Sequence, residues 1–237
     1  MPNLCQTDRR SKILHEDKLT LCSPVSISNI LIHLAKKHFP FIVPSLGKLS
    51  ETEAQFKLID KLTEYMNVDD GTSSSDLIEG LKKYIRERGY KTLIKLEECY
   101  EGQKGFTPEL ISDPLKIMPH IVGASNAILS VAFCKFDLEL AKYELIELHH
   151  VTLSGFISNG VPRFIIHDPS PATEREAKLC KLSKISKGTF YNWDVESKLN
   201  ACGFNELEGI NIYRDDKRKG ANKIVLNGVL AFEVYIK

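Results

Sequence analysis

The stretch 21–31, Leu-Cys-Ser-Pro-Val-Ser-Ile-Ser-Asn-Ile-Leu, places a cysteine immediately before a well-marked helix start. Ser23 suits the N-cap because its hydroxyl can accept a hydrogen bond from a first-turn amide, and Pro24 suits the first helical position. Apolar residues then recur at helical spacing and predict one core-facing stripe: Ile27, Ile30, Leu31 and Leu34. Cys22 is therefore expected where backbone amides and the helix dipole stabilise an anion and lower the pKa of a thiol. The alternative interpretation of Cys22 is a small buried apolar side chain.

The composition is that of an ordinary globular chain. Of its 237 residues, 43% are hydrophobic and 27% are charged, which suffices for one large domain or two small ones. The net charge of +1, without a basic patch interleaved with aromatic residues, argues against nucleic-acid binding. No apolar run has the length of a membrane span, and the N-terminus lacks the pattern of a signal peptide. We therefore expect a cytoplasmic protein or a secreted effector without a visible signal peptide.

The six cysteines are scattered along the chain and form no Cys-x-x-Cys pair: Cys5, Cys22, Cys99, Cys134, Cys180 and Cys202. This spacing predicts free thiols in a reducing compartment rather than a disulfide framework or a zinc site. No motif in the sequence implies a metal ion or another cofactor, so we expect neither.

Three helices are predicted in the first part of the chain. The first covers about residues 24–38, and the second begins at a capping box formed by Ser50 and Glu53. The third covers about residues 76–88 and is capped by the serines that precede it. Gly89 then suits the left-handed position at which a helix commonly ends.

Strand signals predominate after residue 90. A buried strand is predicted at 127–136, and strands at 145–157 and 163–167 are predicted to pair as a hairpin. Asn227-Gly228 lies between two apolar runs and predicts a closing hairpin, since this dipeptide favours a tight turn. Residues 178–187 are rich in lysine and are interpreted as a polar loop.

The order of these elements, helices first and a mostly antiparallel sheet second, predicts an α+β fold. We expect a single domain over residues 1–237, with a helical half at about 1–125 and a sheet half at about 126–237. A cleft between two such halves is a natural place for a functional site.

Two adjacent histidines and an aspartate lie on the strands predicted to pair. Because side chains alternate along a strand, His149 and His150 point to opposite faces, and one of them must face the inner side of the sheet. Asp168 ends the next strand and comes within plausible reach of the histidine pair if the two strands form a hairpin. Thiol catalysis requires a cysteine, a base and a group that orients the base, so Cys22 gains candidate partners.

An ordered set of motifs runs through most of the chain. The set consists of Gln6, Cys22-Ser23-Pro24, Gly71-Thr72-Ser73, Gly89-Tyr90, the apolar strand 127–131, His149-His150-Val151-Thr152-Leu153-Ser154-Gly155 and Asp168-Pro169. Over about residues 6–170 this order and spacing resemble the papain-like cysteine peptidases, in particular the branch of the bacteriocin-leader-processing peptidases. The resemblance implies a papain-like form of the α+β fold, with the active site between the helical and sheet halves.

The resemblance also implies a role for each matching residue. Cys22 would be the nucleophile, His149 the general base and acid, and Asp168 the residue that orients His149. Gln6 would complete an oxyanion hole with the backbone amide of Cys22. The sequence departs from the family's motif at Ser23, where the family has glycine, and in the longer interval between Gln6 and Cys22. His150 is then interpreted as a structural or surface histidine.

The implied activity is hydrolysis of an amide bond in a peptide or protein substrate, through an acyl-enzyme intermediate, by a small bacterial enzyme or secreted effector. Isopeptide cleavage, deamidation and transamidation use the same triad and stay open, because the walls of a site set its substrate. A catalytically silent binding module is the alternative from a different class. The intact set Cys22, His149 and Asp168 argues against that alternative.

Overall fold

The computed structural model describes residues 21–68, 71–98, 126–157, 159–160, 163–169, 177–191, 199–209 and 220–236. These residues form three α-helices: α1 Cys22–Lys37, α2 Glu51–Tyr65 and α3 Ser74–Glu87. They also form nine strands: β1 Tyr90–Glu98, β2 Asn126–Asp137, β3 Lys142–Ile157, β4 Arg163–His167, β5 Lys178–Lys184, β6 Thr189–Tyr191, β7 Leu199–Asn200, β8 Asn205–Glu208 and β9 Lys223–Ile236. None of the three helices is long and apolar enough to cross a membrane.

Six of the strands pair in a ring and form a closed barrel. The order β2-β3-β4-β5-β8-β9 returns to β2, and every neighbouring pair in this ring is antiparallel. The remaining strands extend the barrel: β1 pairs with β9, β6 pairs in parallel with β3, and β7 pairs with β6. Closure pairs both edges of each of the six strands, which removes the exposed edges that an open sheet would present.

The predicted fold class is wrong. An α+β, papain-like arrangement requires a helical half packed against a sheet half, with a cleft between them. The described residues instead contain three helices and a closed, six-stranded antiparallel barrel with extra strands, so this part of the chain is mostly β. In addition, β1 comes from the predicted helical half and pairs with β9 from Tyr90↔Ile236 to Glu98↔Gly228.

Two predictions for individual segments of the sheet are also wrong. The segment interpreted as a lysine-rich loop is mostly strand β5, which buries Cys180 and Leu182 in the barrel. The dipeptide Asn227-Gly228 forms no hairpin turn, because β9 continues through it between β1 and β2. Asn227 is instead the extra residue of a β-bulge, since Ser130 pairs with Gly228 while Val131 pairs with Leu226.

Asn227 is fully buried, and its amide Nδ2 donates a 3.0 Å hydrogen bond to Ser130 Oγ. We predict that Asn227→Ala lowers the free energy of unfolding by about 1–3 kcal/mol, because a buried hydrogen-bond partner is left behind. Urea denaturation measures the change, with Asn67→Ala as the control at an exposed position. A loss at Asn227 no larger than the loss at Asn67 would contradict the bulge as a stabilising feature.

Most of the predicted helix ends are confirmed. The capping box at the start of α2 is confirmed, since Ser50 Oγ accepts from the Glu53 amide and the Glu53 carboxylate accepts from the Ser50 amide. Ser73 caps α3, and Gly89 has a φ of +84°, as a left-handed helix stop requires. The N-cap prediction at Ser23 is wrong, because α1 begins at Cys22 and Ser23 lies inside its first turn.

Two apolar layers position the helices against the barrel. Alternate residues of β2 and β9 face the barrel interior, among them Leu129, Val131 and Val229. Residues on the other face, such as Ile128 and Phe232, cluster with the buried side chains of the three helices. The alternation is the ordinary consequence of strand geometry, and it sets α1 across the outside of β2 and β3.

Candidate active site

Asp168 reaches His149 because of the register between β3 and β4. Thr152 pairs with His167 in this antiparallel pair, so Asp168 follows at the level of Val151. His149 and Val151 share one face of β3, and a side chain at a diagonal position on the neighbouring strand can contact either. His149 Nε2 donates a 2.8 Å hydrogen bond to Asp168 Oδ1. The predicted contact between the histidine pair and Asp168 is therefore present.

The His149–Asp168 pair is removed from water. The His149 side chain has 0% of its surface exposed and the Asp168 side chain 8%. Burial alone would lower the pKa of His149, but the charge and hydrogen bond of Asp168, together with Cys22, raise it from 6.5 to about 9. The direction of the shift favours the imidazolium form of His149, and the carboxylate holds the ring in one orientation.

Cys22 lies at the N-terminal end of α1, beside both histidines. Burial acts to raise the pKa of its thiol, but the neighbouring His149 and His150 rings lower the pKa well below the usual value. The N-cap residue Leu21 provides no side-chain cap, so the helix dipole also favours an anion at this position. The arrangement can hold a thiolate next to an imidazolium.

Buried polar side chains fix α1 against β3, which sets the distance between thiol and histidine. Thr152 Oγ1 donates to the Ser26 carbonyl at 3.0 Å and accepts from Asn29 Nδ2 at 3.5 Å. Gln55 on α2 in turn donates to Asn29 Oδ1 at 2.7 Å and to Ser28 Oγ at 2.9 Å. All five residues of this network are buried. The network thus specifies one position of α1 on the barrel.

Two residues of the site were not predicted in their observed roles. Ser23 Oγ and His150 Nδ1 are 2.7 Å apart, so Ser23 contacts the second histidine instead of capping α1. Ser23 Oγ also lies 3.9 Å from Cys22 Sγ. The signals were in the sequence: a serine stands where the resemblance implies glycine, and a second histidine follows the first.

Gln6 lies outside the described residues, so its predicted place in an oxyanion hole stays a prediction. Within the part of the chain that the structure describes, no group of three or more His, Cys, Asp and Glu side chains could hold a metal ion. The cysteines described there, Cys22, Cys134, Cys180 and Cys202, are all free thiols.

No family model matches the chain, and no curated protein is found to be similar to it. The resemblance to cysteine peptidases therefore rests on the ordered motifs alone.

Proposed function

We propose that the protein is a thiol-dependent hydrolase that cleaves an amide bond in a peptide or protein. The observation that carries the proposal is that Asp168 holds the buried His149 ring through a 2.8 Å hydrogen bond, and that this ring lies close enough to Cys22 for each of the two groups to shift the pKa of the other. Nucleophile, base and orienting group come from three different elements, α1, β3 and the end of β4. A cysteine, a histidine and a carboxylate in this relation are the parts that nucleophilic acyl transfer requires.

The proposed reaction has two steps. The Cys22 thiolate attacks the carbonyl carbon of the substrate, and His149 gives its proton to the departing amine as the C–N bond breaks. Water then attacks the thioester while His149 takes up one of its protons, the C–S bond breaks, and a carboxylic acid leaves. Asp168 keeps the imidazole oriented and stabilises its charged form throughout. The Cys22 backbone amide is the proposed oxyanion donor, and Gln6 would be a second one.

The proposal concerns the thiol chemistry of the site. It does not include a papain-like architecture, because the closed barrel contradicts that architecture. Triads of this kind recur on unrelated folds, so the site can be argued from its own contacts. Membership of the cysteine peptidases is part of the same proposal, and the order of the motifs from Cys22 to Asp168 supports it.

The acyl-enzyme could also be resolved in other ways. Isopeptide cleavage, deamidation and transamidation all begin with attack by the same thiolate, and the walls of the site decide among them. Mass spectrometry of the products from a mixture of synthetic peptides, with and without an added primary amine, separates hydrolysis from transfer. Products that carry the amine would favour a transferase, and a loss of ammonia from glutamine would favour a deamidase.

The test of the proposal is the variant Cys22→Ala on the same peptide mixture. We expect cleavage to fall by at least about 10³-fold, because the nucleophile is removed. The control is Cys202→Ala, since Cys202 is an exposed thiol and should be dispensable. Cleavage that survives in Cys22→Ala would refute the proposal, and a wild-type protein that forms no covalent adduct would favour the silent binding module.

A further inference from the structure

The Cys22 thiol has a second histidine beside it. His150 follows His149 on β3, and its ring nitrogen Nδ1 lies 2.7 Å from Ser23 Oγ. That hydroxyl lies 3.9 Å from Cys22 Sγ. The His150 ring is therefore one hydroxyl group away from the sulfur atom, through the residue next to the nucleophile. The triad of Cys22, His149 and Asp168 makes no use of it.

His150 is held at this position from two sides. Ser23 contacts its ring, and Ser26 Oγ donates a 3.1 Å hydrogen bond to its backbone carbonyl. Both serines belong to the first turns of α1, the helix that carries Cys22. The buried hydroxyl of Thr152, two residues along the strand, contacts the same helix at the Ser26 carbonyl. The ring is thus placed by the element that presents the thiol.

The two histidines have different surroundings. His149 is buried and faces the Asp168 carboxylate, which favours its imidazolium form. His150 is only half-buried and faces a neutral hydroxyl. The neighbouring His150 ring, as well as His149, helps to lower the pKa of Cys22. A hydrogen bond to a charged acceptor is about twice as strong as one between neutral groups, so a second donor matters for a thiolate.

We propose that His150 is a second histidine partner of the Cys22 thiolate, held in place by Ser23, so that the nucleophile lies between a buried and a half-buried imidazole. This inference rests on the proposed function and adds residues to the same site. Ser23 is the positioning residue in it. The serine that replaces the glycine of the cysteine peptidase motif then has a chemical reason, because glycine could not hold His150.

The experiment measures the second-order rate at which iodoacetamide alkylates Cys22 at neutral pH, resolved by peptide mass spectrometry. We expect His150→Phe and Ser23→Gly each to lower this rate about tenfold, since each removes one hydrogen bond to a charged group. Ser23→Thr keeps the hydroxyl and should keep most of the rate. The matched control is His38→Gln, at an exposed histidine beyond the far end of α1.

Peptide cleavage by the same variants separates a chemical role from a structural one. We expect kcat to fall in His150→Phe and Ser23→Gly with KM nearly unchanged, and Ser23→Thr to restore kcat. Melting temperatures are measured alongside. Should His150→Phe fail to fold, the Ser23 pair decides the question, because glycine near a helix start costs only about 1 kcal/mol or less.

The outcomes distinguish this inference from the proposed function. The role of His150 would be overturned if His150→Phe and Ser23→Gly were alkylated at the wild-type rate. If Cys22→Ala still abolished cleavage, the proposed hydrolase function would be retained. Equal loss in Ser23→Gly and Ser23→Thr would also overturn it. A wild-type Cys22 that reacts no faster than the exposed Cys202 would overturn both.

Discussion

Replacement of His149 by glutamine is expected to lower amide cleavage by about 10²–10⁴-fold, the range in which general acid–base catalysis contributes. The imidazole hydrogen bonds with the Asp168 carboxylate and lies close enough to Cys22 for the ring and the thiol to shift each other's pKa. Glutamine has an amide in place of the imidazole and cannot carry a proton between thiol and substrate. We therefore expect kcat to account for the loss, and the reaction of Cys22 with iodoacetamide to slow in parallel. Steady-state kinetics on the best peptide of the mixture measures the effect.

His167→Gln is the matched control for this prediction. His167 immediately precedes Asp168, but it lies on the opposite face of β4 from the buried Ile166 and takes no part in the proposed chemistry. Its variant should keep a rate close to that of the wild type. A His149→Gln protein that folds and cleaves as fast as His167→Gln would show that His149 is not the base.

Replacement of Asp168 by asparagine is expected to lower the pH above which activity declines, referred to here as the alkaline limit. The active form requires a protonated His149 beside an ionised Cys22, and the carboxylate is the main reason that the pKa of His149 is raised to about 9. Activity of the wild type should therefore decline only as the pH rises through about 9. Without the carboxylate the pKa falls towards 6.5, so activity at pH 8 should drop by about 30-fold. The dependence of kcat/KM on pH, from about pH 5 to 10, measures the shift.

The control for this shift is Glu139→Gln, which removes an exposed carboxylate in the turn between β2 and β3. Its alkaline limit should coincide with that of the wild type. An Asp168→Asn enzyme whose alkaline limit stays near pH 9 would show that another group, and not Asp168, sets the protonation of His149.

The part of the site that could be predicted from the sequence depends on local signals. Short-range pairing of β3 with β4 determines that Asp168 reaches His149. The capping box at Ser50 and the glycine stop at Gly89 are equally local, and both were read correctly. Each of these depends on residues close together in the chain.

The closure of the barrel could not be predicted in the same way, because it joins distant segments. Cys180 and Leu182 mark the buried face of β5, and the lysines in the sequence between and around them give the appearance of a loop. The pairing of β8 with β9 depends on a single register pair, Glu206↔Val225. Neither local propensity nor charge pattern specifies such a contact.

Tertiary context also overrode two strong local preferences. Asn227-Gly228 favours a turn in isolation, but neighbouring strands on both sides of β9 satisfy its backbone as a continuous strand with a bulge. Ser23 favours a cap, but a histidine from β3, distant in sequence, lies within hydrogen-bonding distance of its hydroxyl. Both misreadings occurred where a contact from a distant part of the chain replaced the local one.

The most direct test of the central claim is the rate of Cys22 alkylation by iodoacetamide as a function of pH, with exposed Cys202 read from the same digest. If Cys22 is a thiolate paired with His149, its rate should stay high well below pH 8.5, near which an ordinary thiol ionises. In His149→Gln the curve should move towards that of an ordinary thiol. A wild-type Cys22 whose rate falls about tenfold per pH unit below 8.5, as an ordinary thiol does, would contradict the account.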